Sequence, residues 1–178
     1  LSSELKINAN QINNLGKYLV SKQKGDFQII ARSLDNSQSA DKVSISLELQ
    51  SLEKSIINKS GVLGFRIGLD LLFLCNSTNS SFSRKTVPLL RQAFYITDQT
   101  GGWCGIRVEG ERVIEMLERI CPLNLSIKIF AKGDVKRTIM DHLNVIIFRE
   151  AAKKFILFSP SSSTGSFLKS IEASSRNI

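Results

Sequence analysis

Residues that most often carry catalysis or metal binding are scarce in this chain of 178 amino acids, which has one histidine, three cysteines and one tryptophan. A zinc site needs a cluster of Cys and His at metal spacing, and His142 has none around it. Cys75, Cys104 and Cys121 are odd in number, far apart and form no C-x-x-C pair, so they read as reduced, mostly buried thiols of a cytosolic protein. No stretch nears the ~20 apolar residues that span a bilayer, the best being Leu69–Cys75. The polar, Asn-rich segment Leu1–Asn14 lacks the apolar core of a signal peptide. Also missing are a G-x-x-x-x-G-K-[ST] phosphate loop, a G-x-S-x-G elbow and an H-E-x-x-H helix, which excludes the commonest nucleotide, hydrolase and zinc-protease chemistries.

What is present suits a globular domain. Hydrophobic residues make up 42% and charged residues 22%, ordinary values for a folded chain, and this length holds one full domain or two small halves sharing a core. The net charge of +8 suggests an acidic partner: RNA, an anionic membrane or an acidic protein. The charge is spread, with 12 basic and 7 acidic residues in 1–92 against 12 and 9 in 93–178. The longest basic runs are pairs such as Arg84-Lys85, Lys136-Arg137 and Lys153-Lys154, which matches a solvated basic surface better than a nucleic-acid reader.

Residues 1–25 read as a short helix or a mobile arm. Phe27–Arg32 is β-rich, and Leu49, Leu52, Ile56 and Ile57 fall at helical spacing until Gly61. Val62–Ile67 and Leu71–Cys75 predict a hairpin around Gly68-Leu69-Asp70, and Arg84–Phe94 predicts a helix after a Ser/Asn/Thr linker. Tyr95–Thr97 and Trp103–Val108 are extended, followed by the strongest helical pattern, Glu111–Ile120, which Pro122 stops. Glu115 and Arg119 are placed for an i,i+4 pair there. Val135–Met140, Leu143–Phe148 and Phe155–Phe158 are β-like, and Phe167–Ala173 is helical. The repeated order predicts an α+β fold of two related halves, each an antiparallel sheet with covering helices, over about 26–94 and 95–175 within a single domain.

Candidate chemistry is thin. Thr100-Gly101-Gly102 could cradle an anion but precedes a strand, so a tight turn suits it better. His142 beside Asp141 could act as an acid or base, but neighbours on a strand point to opposite faces, which favours a structural or interface role. Trp103 is either a core anchor or an interface hot spot. Arg107 and Glu109 share one sheet face, the wetter one, and Arg137 and Arg149 sit at strand ends where they could meet a partner's carboxylates or form ordinary ion pairs.

Taken together, Asp98-Gln99-Thr100-Gly101-Gly102-Trp103, Gly105–Gly110, Cys121-Pro122-Leu123-Asn124-Leu125, Phe130–Gly133, Val135–Thr138, His142, Arg149 and Phe155–Pro160 resemble the gamma subunit of heterotetrameric sarcosine oxidase. Gly68–Leu74 loosely resembles a further segment of that family. The resemblance implies a fold like the folate-binding domain of the glycine cleavage T protein. It also implies a cytoplasmic complex of alpha, beta, gamma and delta subunits that carries FAD, FMN, NAD and tetrahydrofolate and demethylates sarcosine oxidatively. The cofactor sites would lie on other subunits, with none on this chain and no catalytic residue of its own, and with neither nucleic acid nor membrane as partner. Trp103, Arg107, Cys121, Pro122, His142 and Arg149 would then serve as interface or fold determinants. A free-standing folate-binding or one-carbon-transfer protein of the same fold is the alternative.

Overall fold

The computed structural model describes residues 6–8, 15–22, 56–57, 63–68, 71–77, 91 and 94–178. The predicted strand Phe27–Arg32 lies outside them, as do most of the predicted helices 49–60 and 84–94, of which Ile56–Ile57 and Phe94 are strand and not helix. The chain divides into two compact units, one made of Leu1–Asn14 with Thr100–Ile178 and the other of Leu15–Gln99.

The first unit holds a five-stranded sheet in the order β1-β7-β10-β9-β8. Its strands are β1 (Lys6–Asn8), β7 (Trp103–Glu109), β8 (Val135–Met140), β9 (Leu143–Ala151) and β10 (Lys154–Pro160). The second holds β3-β4-β5-β2-β6, with β2 (Leu15–Lys22), β3 (Ile56–Ile57), β4 (Leu63–Gly68), β5 (Leu71–Ser77) and β6 (Phe94–Asp98). All the pairings are antiparallel. Residues 1–25 thus contain two strands where the sequence suggests a helix or a mobile arm. A short polar segment carries little periodicity, and here its pairing partner decides its conformation.

The two sheets have one topology. Matching β2 with β7, β3 with β8, β4 with β9, β5 with β10 and β6 with β1 superposes the two strand orders. Both hairpins also carry an extra residue at the same place. Gly68 faces Leu71 and Arg66 faces Leu72, so Ile67 is extra; Ala151 faces Lys154 and Arg149 faces Phe155, so Glu150 is extra. The outer strands are exchanged: β1 precedes β2 in sequence but pairs with β7, and β6 precedes β7 but pairs with β2.

Both central strands carry a continuous buried run. Leu72–Cys75 of β5 and Phe155–Ser159 of β10 show no alternation with exposed residues, as expected where both faces of a sheet are covered. On one face of the first unit's sheet lie α1 (Val113–Glu118) and α2 (Thr164–Arg176). Helix α1 buries Val113, Met116 and Leu117, and α2 buries Phe167, Ile171 and Ser174, in both cases one stripe at helical spacing. Each large apolar side chain so buried contributes roughly 1.5–3 kcal/mol. The Ser174 hydroxyl donates to the Met116 carbonyl at 2.7 Å, joining the two helices. Helix α1 is shorter than the predicted Glu111–Ile120. Glu115 pairs with Arg112 at 2.7 Å instead of with Arg119.

Candidate functional site

Arg149 joins three of the segments that carried the family resemblance. It sits on β9 opposite Phe155 and is 0% exposed, so it is not a solvent-facing arginine waiting for a partner's carboxylate. The guanidinium lies against two parallel rings whose centroids are 6.5 Å apart, its carbon 4.6 Å from the centroid of Phe155 and 5.9 Å from that of Phe130. One terminal nitrogen donates to the Ala152 carbonyl at 2.9 Å, and the other donates to the Leu125 carbonyl. The backbone adds two more bonds, Gly133 N–H to the Arg149 carbonyl at 2.9 Å and Arg149 N–H to the Asp134 carbonyl at 3.0 Å. One residue therefore ties the Cys121–Leu125 block, the Phe130–Gly133 turn and the β9–β10 turn together.

Its electrostatics fit a structural clamp. Nε is buried without a hydrogen-bond partner, and burial pushes the guanidinium's pKa below its ordinary value, with the Asp134 carboxylate pulling part of the way back. Asp134 spends one carboxylate oxygen on the Ala131 N–H at 2.7 Å, which closes the turn. The cation is compensated by carbonyl dipoles and ring faces, a combination for which planar arginine is better suited than lysine.

The other candidates are spread along the sheet. Trp103 is half-buried at the start of β7, where it faces Pro160. Arg107 lies four residues along the same strand, roughly 13 Å away at strand rise. It pairs with Glu150 through two bonds of 3.0 and 3.2 Å, while Glu109 pairs with Lys154 at 3.0 Å. The Lys154 bond holds the Glu109 carboxyl below the usual range. Cys121 is buried, Pro122 exposed, and all three cysteines are free thiols. Burial raises the Cys121 thiol pKa, only partly offset by hydrogen bonds from the Leu123 backbone and Thr138, which makes it a poor nucleophile. Thr100-Gly101-Gly102 is a turn, and a side chain at Gly101 would meet nothing within 4 Å, so no close-fitting cradle surrounds that position.

His142 differs most from expectation. It is not on a strand: Asp141 and His142 form the two-residue turn between β8 and β9, with φ of 46° and 67°. Both residues are left-handed, as a turn that matches strand twist requires, and both are exposed. Asp141 tolerates this because its carboxylate accepts from the Ser170 hydroxyl and its N–H donates to the Ile120 carbonyl at 3.3 Å. Beside the turn is an open cavity of about 550 Å³ lined by Arg119, Ile120, Asp141, Ser170, Ala173, Ser174 and Asn177. His142 and Arg149 lie at opposite ends of β9, roughly 20 Å apart at strand rise. The structure does not gather the predicted residues into one reactive constellation. Among the described residues no three His, Cys, Asp or Glu side chains are grouped to hold a metal.

Sequence reasoning named Arg149 and Phe155 but missed what joins them. The missing parts are two backbone carbonyls, which have no residue signature, and the approach of the Phe130 ring, named only as part of the Phe130–Gly133 turn, to Phe155 and the guanidinium.

No protein-family model matches the chain, and no curated protein matches its sequence. Solved structures do match. The chain is similar to a chain of heterotetrameric sarcosine oxidase from Corynebacterium sp. U-96, solved with pyrrole 2-carboxylate, with a TM-score of 0.73 and 15% identity over 98% of this chain and 84% of that one. It is also similar to the glycine cleavage system aminomethyltransferase T from Bartonella henselae, with a TM-score of 0.63 and 11% identity over 98% of this chain, which spans 47% of that one. The fold is thus the α+β architecture of these two proteins, with two antiparallel sheets and few helices.

Proposed function

We propose that this chain is a non-catalytic, gamma-type subunit of a sarcosine-oxidase-type complex, supporting assembly with flavoprotein alpha and beta subunits and a delta subunit. The observation that carries it is the similarity to a heterotetrameric sarcosine oxidase chain along 98% of this chain and 84% of that one. The resemblance of residues 98–160 supports it independently, and Arg149 supplies a physical account of part of that resemblance, since three of the shared segments meet at its clamp, at Leu125, Phe130–Gly133 and Phe155. In this reading FAD, FMN, NAD and tetrahydrofolate sit on the other subunits, the complex is cytoplasmic, and its reaction is the oxidative demethylation of sarcosine to glycine with folate-linked one-carbon release. Among the described residues no helix is long and apolar enough to cross a membrane.

Tagging the chain in its native source, capturing it and sequencing the co-purified proteins tests the proposal. Flavoprotein subunits in stoichiometric amounts are expected. Recovery of the chain alone would refute it. The similarity to aminomethyltransferase T favours a second reading, a free-standing folate-binding or one-carbon-transfer protein. A lone protein that binds tetrahydrofolate tightly in calorimetry would establish that reading instead.

A further inference from the structure

Strand β8 closes one side of its sheet, and the described residues place no strand beyond it. Its turn is two residues long, so Met140 and Leu143 form a hydrogen-bonded pair, and alternation gives Lys136 and Thr138 the same role. Val135, Arg137 and Ile139 therefore turn their backbone N–H and C=O groups outward. Such an edge is a template for another strand unless it is blunted. Here it is short and charged, but Ile139 is 57% exposed on it. The segment leading into β8 exposes Ile127 and Ile129 as well, at 49% and 59%. The turn that presents them is fixed by bonds of 3.0 and 2.9 Å from Ile129 and Phe130 N–H to the Ser126 carbonyl.

Charge defines the occupant. Lys128, Lys132, Lys136 and Arg137 are exposed, and among the described residues none has a carboxylate partner. The acid of this segment, Asp134, is committed to the Ala131 N–H. Elsewhere in the unit Arg107, Arg112, Lys153, Lys154 and Arg176 pair with glutamates, whereas among the described residues the exposed Arg119 and Lys169 do not. We infer that the outer edge of β8 is a docking strip for an extended, acidic and apolar segment of another protein, added as a strand with carboxylates opposite Lys136 and Arg137 and an apolar side chain opposite Ile139. A second copy of this chain does not suit it, because edge-to-edge pairing would oppose cation to cation. The inference does not depend on the complex proposed above, since any partner with that chemistry satisfies it.

Fluorescence anisotropy of the full chain with a labelled extended peptide carrying two adjacent glutamates and a valine two positions beyond them tests it. Saturable binding in the micromolar range is expected at low ionic strength, weakening by about tenfold in the K136E/R137E variant and unchanged in K169E, which alters a cation on α2. The same peptide with alternate backbone amides N-methylated is expected not to bind, because it cannot continue the ladder. Equal binding of the N-methylated peptide, an unaffected K136E/R137E variant, no saturable binding, or displacement of the peptide by a single-stranded oligonucleotide would each overturn the inference. The peptide controls and surface substitutions leave the fold intact, and circular dichroism of each variant verifies this.

Discussion

Arg66 and Arg149 occupy the same place in two sheets of identical strand order, each on the strand beside the centre, next to the extra residue and opposite the second residue of the central strand. Arg66 is half-buried, whereas Arg149 is fully enclosed. The strand position is therefore not what makes an arginine structural. In the Arg149 unit, the segment between α1 and β8 supplies a carbonyl and a ring, and these convert an edge-of-core cation into a clamp. Repeated topology supplies equivalent positions, and the connecting segments give them different tasks.

Substituting both arginines is the sharpest way to break the comparison. R149A is expected to cost about 3–5 kcal/mol, because it leaves two carbonyls without their donor and a void against the rings of Phe130 and Phe155. R66A is expected to cost less than half of that. Urea denaturation of the two variants measures the gap, and equal losses would mean that the connecting segment contributes nothing.

The two-residue turn offers a smaller effect of opposite sign. H142G is expected to stabilise the chain by about 0.5–1 kcal/mol, since glycine adopts the left-handed conformation without Cβ strain. A thermal midpoint that falls instead would show that the imidazole makes contacts worth more than the strain. The smallest effect concerns Glu109. Its folded-state pKa is lowered by Lys154, so the stability it contributes is full above the ordinary carboxylate value of 4.5 and is lost as pH falls through the lowered value. The difference in urea midpoint between the wild type and E109Q is expected to be measurable at neutral pH and to vanish in acid. A pH-independent difference would separate Glu109 from its ion pair.

The comparison also explains what the sequence revealed. β9 and β10 were legible as apolar runs because both faces are covered, and α2 because Phe167, Leu168 and Ile171 mark one stripe. β2 was not, because Leu15–Lys22 mixes apolar and polar residues without a clean period and takes its conformation from β5 and β6 on either side. Asp141-His142 was misread because without glycine or asparagine a left-handed turn has a faint signature; two β runs separated by two residues were the available sign. Arg149 was visible as a residue but not as a clamp, since backbone acceptors leave no trace in residue identity.

The exchange of outer strands has a kinetic consequence. Lys6 faces Glu109, so β1 can complete its sheet only after the intervening chain has been brought round. Hairpins β8–β9 and β9–β10 close over a few residues and can form early, whereas this strand pays the loop-closure entropy of roughly a hundred. Its docking is thus expected to follow that of the hairpins. During synthesis β1 cannot take its place beside β7 until the chain through Glu109 has been made.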